Sequence, residues 1–309
     1  MYYLDIANKI NSIYHDRQVN AQHDFEKRFD IAMQNEEFAS LIKEKNKLIT
    51  KKANLELANK DASSIVSELS LVSKKLLTYI KSNKINLNMY YTCPNCKDTG
   101  YANGKECECR KVIQHSLMKS ISNLPKRSEG VSFDSNTFDD LDVPQASFMQ
   151  KLYSKMKEWT GNFNNSDKDV IFLSGEVGVG KTTLAYATAN ALQDKGYFVY
   201  YTTAFDINNL FVDKQFNRLS DLDTYNNAIN SQLLIIDDLG TEVTNTIGLE
   251  YLFNVIDSRL AKGLKTFVIT NLTLEKFSGK YGERATSRLT NTRYSFAPKY
   301  IKGKDLRKV

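Results

Sequence analysis

Residues Gly175-Glu176-Val177-Gly178-Val179-Gly180-Lys181-Thr182, followed by Thr183, match the spacing G-x-x-x-x-G-K-[ST] and come directly after the apolar run Val170–Ser174. That spacing is a phosphate-binding chemistry. Glycines let successive backbone N–H groups curl around a β-phosphate, and a helix starting at the end of the loop adds its positive end. Lys181 then reaches the β- and γ-phosphates, and the Thr182 hydroxyl is placed to ligate Mg²⁺. A Gly-rich strand-to-helix turn matching by chance is the plain alternative, and the strand before and helix after argue against it.

Beyond Lys181 by 56 residues comes Leu233-Leu234-Ile235-Ile236-Asp237-Asp238. Four apolar residues running into an acid describe a buried parallel strand that delivers a carboxylate to the phosphate edge of a sheet. Asp237 would hold Mg²⁺ through water, and Asp238 would orient or deprotonate the attacking water. The run Thr266–Thr270 ends in Asn271, a polar tip placed to sense a γ-phosphate or hold that water. In Gly282-Glu283-Arg284-Ala285-Thr286-Ser287-Arg288-Leu289 two arginines lie four apart on one helical face, with no acid at spacing to neutralise both. They read either as a finger offered to a neighbouring subunit's nucleotide or as an exposed ion pair to another helix.

All four cysteines lie between residues 93 and 109. Cys93-Pro94-Asn95-Cys96 is a knuckle, and Cys107-Glu108-Cys109 follows with ten residues between. Gly100 and Gly104 allow the tight turns that a four-sulfur cage requires. Four thiolates suit tetrahedral Zn²⁺, with an iron–sulfur cluster or free thiols as alternatives, and the C-x-C half leaves room for His115 to replace one sulfur. Such a closed site serves folding, not catalysis.

These residues need a scaffold to hold them. Short β-rich runs at 170–174, 197–202, 233–237, 266–270 and 292–297 alternate with helical stretches, which argues for a parallel sheet flanked by helices. Residues 1–90 hold no Pro and no Gly. There an apolar residue recurs every seven positions at Leu41, Leu48, Leu55, Ala62, Leu69 and Leu76, joined by Ala58, Ile65, Val72 and Tyr79. This stripe predicts either two helices packed on each other, broken near Asp61–Ser64, or a seam for a partner helix. The expected organisation is a helical and zinc-binding domain over 1–122, a linker and start of the next domain over 123–147, and a nucleotide-binding α/β domain over 148–309.

Charge and hydropathy narrow the classes. The chain has 309 residues, 41% apolar content and mean hydropathy −0.43, the profile of a soluble protein. No stretch approaches the ~20 apolar residues needed to cross a bilayer. The first ten residues lack the basic and apolar regions of a secretory leader, so a cytoplasmic location is expected. Net charge is +6, but residues 126–298 carry 18 basic against 21 acidic side chains. A near-neutral body of that kind is no general phosphate-binding surface, so any contact with nucleic acid is local.

Together, GEVGVGKTT, LLIIDDLG, the strand ending in ITN and the GERATSRL helix resemble the AAA+ ATPases of the bacterial and phage replicative helicase loaders, the DnaC/DnaI type, and the related IstB-type helpers of transposition. The segment CPNCKDTGY before C-x-C resembles the amino-terminal zinc module of many such loaders. The resemblance covers roughly residues 90–309. It implies an AAA+ P-loop core without the usual helical lid, Lys181 and Thr182 on nucleotide and Mg²⁺, and Asp237 on Mg²⁺. It further implies Asp238 in the catalytic-acid position, Asn271 as sensor and Arg288, supported by Arg284, as a finger acting in trans. Asp238 stands where most AAA+ proteins carry Glu. Gly303-Lys304-Asp305-Leu306-Arg307 resembles the family's closing segment, whose Arg lies near nucleotide.

The same resemblance implies that Thr203, Phe205, Lys214 and Arg218 face single-stranded DNA, with cations one helical turn apart and aromatics between them. The plain alternative puts Phe205 and Phe211 in the core of an amphipathic helix. The functions implied are ATP-dependent loading of a hexameric replicative helicase, with self-association through the AAA+ interface and slow, partner-stimulated ATP hydrolysis. A transposase helper and a weakly hydrolysing ATP switch are the competing readings.

Overall fold

The computed structural model describes residues 3–135, 138–139, 141–216, 218, 222–241 and 246–306, without the side chains of 246–249 and 251. The chain forms two compact units, one of residues 10–110 and one of residues 1–9 with 111–309.

In the smaller unit, helices α1 (Ile6–Met33, from Ile10 onward), α2 (Glu36–Leu57) and α3 (Ser63–Ser82) follow from a sequence without helix breakers. Asn35 caps α2 by accepting from the backbone N–H of Glu37 and Phe38. Asp61 accepts from the N–H of Ser63 at 2.9 Å and marks the start of α3, within the expected break. The seven-residue stripe is filled by the chain itself. Leu48 and Leu55 of α2 pack with Ile65, Leu69 and Val72 of α3, while Phe38 and Leu41 meet Leu76 and Tyr79. The reading of the stripe as a partner seam therefore gives way to an internal helix pair. A hairpin of β1 (Tyr101–Ala102) and β2 (Lys105–Glu106) follows. Its two turn residues, Asn103 and Gly104, both have positive φ, as a two-residue hairpin turn demands.

Helix α4 (Glu108–Ile121) leads to the larger unit, where α5 (Val143–Gly161) is capped by Asp142 and carries Pro144 in its first turn. There follow β3 (Val170–Ser174), α6 (Lys181–Asp194), β4 (Val199–Thr203), α7 (Ala204–Gln215), α8 (Leu222–Asn230), β5 (Leu233–Leu239), α9 (Thr246–Ala261), β6 (Lys265–Thr270), α10 (Leu274–Tyr281), α11 (Glu283–Thr290) and β7 (Ser295–Phe296). The five strands of this unit are parallel, in the order β4-β5-β6-β3-β7.

Both faces of the sheet are covered, which is why its strands read as continuous apolar runs. Ile171, Leu173, Ile235, Phe267 and Ile269 face a core shared with Met149, Met156, Leu184 and Ala185 of α5 and α6. The alternate residue Phe172 meets Phe277 of α10 edge to face at 5.1 Å. Residues 123–147, expected as a linker, contribute Leu124, Val131, Phe133 and Phe138 to the edge of that core. Their apolar side chains, spaced through a Pro- and Asp-containing stretch, are what tie it down. Among the described residues no helix follows β7.

Candidate nucleotide and metal sites

The order of the strands sets the site. β6 lies beside β3, so Asn271 at the tip of β6 stands next to the loop that leaves β3 at Ser174. β5 lies beyond β6 and brings its two acids to the same edge. Val179 is fully buried and pins the middle of the loop to the core, while Val177 stays exposed. Gly180 turns the chain into α6 in a left-handed conformation, and Lys181, Thr182 and Thr183 form the helix's first turn. Lys181 is buried at 6% exposure and donates to the carbonyls of Gly175 (2.8 Å) and Glu176 (2.6 Å) and to Asn271 Oδ1 (2.8 Å).

A bulge separates the roles of the two acids. β5 pairs in step with β6 through Ile236 and Val268, and pairing resumes at Leu239 and Thr270, so β5 holds one extra residue. Asp238 takes a positive φ of 56° there, its carboxylate exposed and 3.4 Å from the amide of Asn271. Asp237 points inward at 1% exposure and accepts from Thr182 Oγ1 at 3.3 Å, from the N–H of Asp238 at 2.9 Å and from Tyr201 Oη at 2.8 Å. Burial raises the Asp237 carboxyl above its ordinary pKa, the Tyr201 hydrogen bond opposes this, and the neighbouring Asp238 charge adds to it. A divalent cation relieves that cost, and a hydroxyl beside a carboxylate at the head of a phosphate loop is a donor set that fits Mg²⁺.

The closing segment runs along the loop. Ile301 donates to Ser174 O and accepts from the N–H of Glu176, both at 2.8 Å. A Cβ on Gly175 would fall 2.6 Å from the Ile301 carbonyl, so the first glycine of the pattern is required by this approach. The N–H of Gly303 donates to Glu176 Oε2 at 3.0 Å, and that of Leu306 to Gly178 O at 2.9 Å. Arg307 lies outside the described residues.

Arg284 and Arg288 share α11, as expected. Arg288 pairs with Asp257 of α9 through its Nε, and its Nη1 reaches Arg284 O at 3.3 Å. The neutralising acid comes from another helix, where a scan of α11 alone does not find it.

The expected polynucleotide residues are split. Thr203 caps α7, accepting from the N–H of Asp206 at 3.1 Å. Phe205 is 59% exposed, whereas Phe211 is fully buried, so the core reading holds for Phe211 and not for Phe205. Lys214 lies over Tyr225, and Arg218 over Phe216 at 4.8 Å. Arg218 does not continue the helix. α7 ends at Gln215, and the N–H of Arg218 closes back on Asp213 O, a six-residue bond that terminates a helix.

In the smaller unit the four cysteine sulfurs lie within 4.8 Å of one another. Cys93 and Cys107 are 3.8 Å apart and Cys96 and Cys109 3.5 Å, while a tetrahedron with Zn–S arms of about 2.3 Å has edges of about 3.8 Å. The donor set fits zinc. Asp98 is fully buried and accepts from the N–H of Thr92 and Cys93, which fixes the knuckle, and Asn95 points its amide at Cys107 Sγ. His115 is not part of the cluster; its ring lies against Gly196 in the larger unit.

Sequence reasoning missed two groups. Tyr201 touches Asp237, and Arg259, 1% exposed, donates to the carbonyls of Ala228, Ile229 and Lys265 and to Thr266 Oγ1. No spacing signal marks either, since Tyr201 and Asp237 lie 36 residues apart and Arg259 joins the nearby start of β6 to the end of α8, 30 residues upstream.

A parallel sheet with this strand order, a phosphate loop after β3, acids on β5 and a polar tip on β6 defines an AAA+ P-loop fold. Within that class, the family described as IstB-like ATP binding protein matches residues 107–292, and the chain belongs to it. It is similar to the replicative helicase loader DnaC of Escherichia coli (strain K12), 29% identical over 137 residues, covering 44% of this chain and 56% of that protein. The chain thus spans about half the length of that relative. It is also similar to the replicative helicase loader DnaI of Bacillus subtilis (strain 168), 25% identical over 284 residues and 82% of each chain. A crystal structure of the DnaC helicase loader aligns over 58% of this chain and all of its own, with 22% identity and a TM-score of 0.47. No helix among the described residues is long and apolar enough to cross a membrane.

Proposed function

We propose that the chain is an ATP-dependent loader of a hexameric replicative DNA helicase. The observation that carries this reading is the cluster of Lys181, Asn271 and Asp238 beside Thr182 and Asp237, built on a chain alike over 82% of its length to a replicative helicase loader. ATP binds along the loop, and Thr182 and Asp237 would hold Mg²⁺, which would neutralise charge on its phosphates. Asp238 and Asn271 act on the attacking water, and Arg288, with Arg284, serves the nucleotide of a neighbouring copy. Hydrolysis is slow and stimulated by helicase and single-stranded DNA, which Phe205, Lys214 and Arg218 contact. The four cysteines hold Zn²⁺ and keep the smaller unit folded for the helicase, and the protein works in the cytoplasm.

The test is a pull-down from the purified chain with a hexameric replicative helicase, with and without ATP, beside a phosphate-release assay with single-stranded DNA. ATP-dependent capture with stimulated release supports the reading. Capture of a transposase in place of the helicase, with remodelling of duplex DNA, would replace it with the transposition reading.

A further inference from the structure

Tyr201 stands at a junction inside the larger unit. It lies on β4, the edge strand of the sheet, and its backbone is clasped from outside. Its N–H donates to Ser122 O at 2.9 Å, and Asn123 Nδ2 donates to its carbonyl at 2.9 Å. Residues 122 and 123 thereby cover an edge that would otherwise offer unpaired backbone groups.

The side chain points the other way, into a line of donors that begins at the exposed Arg127 and runs inward. Arg127 Nε donates to Tyr186 Oη at 2.8 Å, Tyr186 Oη to Tyr201 Oη at 3.4 Å, and Tyr201 Oη to Asp237 Oδ2 at 2.8 Å. Tyr186, Tyr201 and Asp237 are each 5% exposed or less. All three bonds run in one direction, from a guanidinium to a carboxylate, so each polarises the next. Packing alone does not call for this. A phenylalanine would fill the ring's volume at 201, and the one proton the hydroxyl donates goes to the carboxylate. With Oδ2 held by Tyr201 and Oδ1 by Thr182 and the N–H of Asp238, the carboxylate plane has one orientation.

We propose that Tyr201 is a positioning residue for Asp237, and that residues 122–127 set the phenol through the Ser122–Asn123 clasp and Arg127. The segment that follows α4 thereby tunes how Asp237 meets Mg²⁺. The inference rests on the reading of Asp237 as a magnesium-site acid. A partner that orients a metal-binding carboxylate is commonly worth 10–100-fold in metal affinity.

The experiment uses the full chain and a fluorescent ATP analogue, bound first in EDTA and then against rising free Mg²⁺, beside ATP turnover. Tyr201→Phe is expected to bind the analogue in EDTA like the wild type. It should need about 10-fold more Mg²⁺ for the metal-dependent gain in affinity and for half-maximal turnover, with the KM for ATP at saturating Mg²⁺ unchanged. Tyr186→Phe should shift the midpoint less, and Asn123→Ala should shift it in the same direction by loosening the clasp. These two carry the test should Tyr201→Phe fail to fold. A lower melting temperature with an unmoved Mg²⁺ midpoint overturns the proposal and leaves Tyr201 a packing residue. Wild-type binding indifferent both to Mg²⁺ and to Lys181→Ala overturns instead the reading of the site itself.

Discussion

Lys181 Nζ and Asn271 Oδ1 are hydrogen-bonded at 2.8 Å, although 90 residues separate them in sequence. The same amide turns its nitrogen to Asp238 Oδ1 at 3.4 Å, so Asn271 links the cation of the phosphate loop to the exposed acid. The oxygens that Lys181 holds on Gly175, Glu176 and Asn271 are neutral, and a charged phosphate oxygen competes with them well. If Lys181 turns to a γ-phosphate, as proposed, Asn271 is among the groups it releases.

That relationship separates three variants. Lys181→Ala should abolish nucleotide binding, since it removes the cation proposed to reach the β- and γ-phosphates. Asp238→Asn and Asn271→Ala should keep binding within a few-fold and lose turnover by about 10²-fold, the usual scale for one group acting on the transition state. Equilibrium binding of a fluorescent nucleotide, measured beside phosphate release, checks all three. Normal turnover in the Asn271 variant would remove it from the site.

The cysteine cluster makes a prediction for composition and folding. Freshly purified, reduced protein should carry about one zinc per chain, read by atomic absorption. Cys93→Ser should lose most of it and loosen residues 90–110 in hydrogen exchange, because a metal on these sulfurs would tie β1–β2 to the knuckle. Nucleotide binding should persist, since every nucleotide-site residue belongs to the other unit. Acid should release the metal, because protons compete for thiolate sulfur.

What the sequence makes legible follows from how local each interaction is. The loop Gly175–Thr183 is one continuous backbone cradle, and the run Leu233–Asp237 one buried strand, so both can be read from spacing alone. The bulge that turns Asp238 outward has no such signature, since nothing in Leu-Leu-Ile-Ile-Asp-Asp says where β5 gains a residue on β6. Asp257, the partner of Arg288, lies 31 residues upstream on another helix. Thr203 illustrates a competing signal, because a Thr ahead of a helix with Asp three residues later is also a cap, and the cap is where its hydroxyl is used.

Arg259 supplies a stability prediction. Its guanidinium is buried, which lowers its pKa to about 9, and it serves the carbonyls of Ala228 and Ile229 at the end of α8 and that of Lys265 at the start of β6. The negative end of α8 favours a cation there. Arg259→Leu would orphan several buried acceptors at about 1–3 kcal/mol each. At about 2–4 °C per kcal/mol, melting should fall by about 10 °C, as read by calorimetry. Arg259→Lys should recover little, because one ammonium cannot span acceptors on two elements. A melting temperature within a degree or two of wild type in both variants would contradict this role.

The last prediction concerns Arg288, whose Nε is engaged by Asp257 within its own chain. The pair is partly exposed, at 25% and 38% for the two side chains, so holding it adds little to stability. A nucleotide phosphate presented by a neighbouring copy carries more charge than one carboxylate and can draw the guanidinium away. If Arg288 acts in trans, each active site is made from two chains, one giving the loop and the other the arginine. Arg288→Ala and Lys181→Ala should each be inactive alone, with losses of about 10³-fold or more where the arginine contacts the transition state. Mixing them with helicase and single-stranded DNA should restore part of the activity, because some interfaces then join an intact loop to an intact finger. Asp257→Asn should leave the finger freer, so its stimulated turnover should equal or exceed that of the wild type. Normal hydrolysis by Arg288→Ala, or no rescue on mixing at saturating concentration, would return Arg288 to the role of an ion pair between α9 and α11.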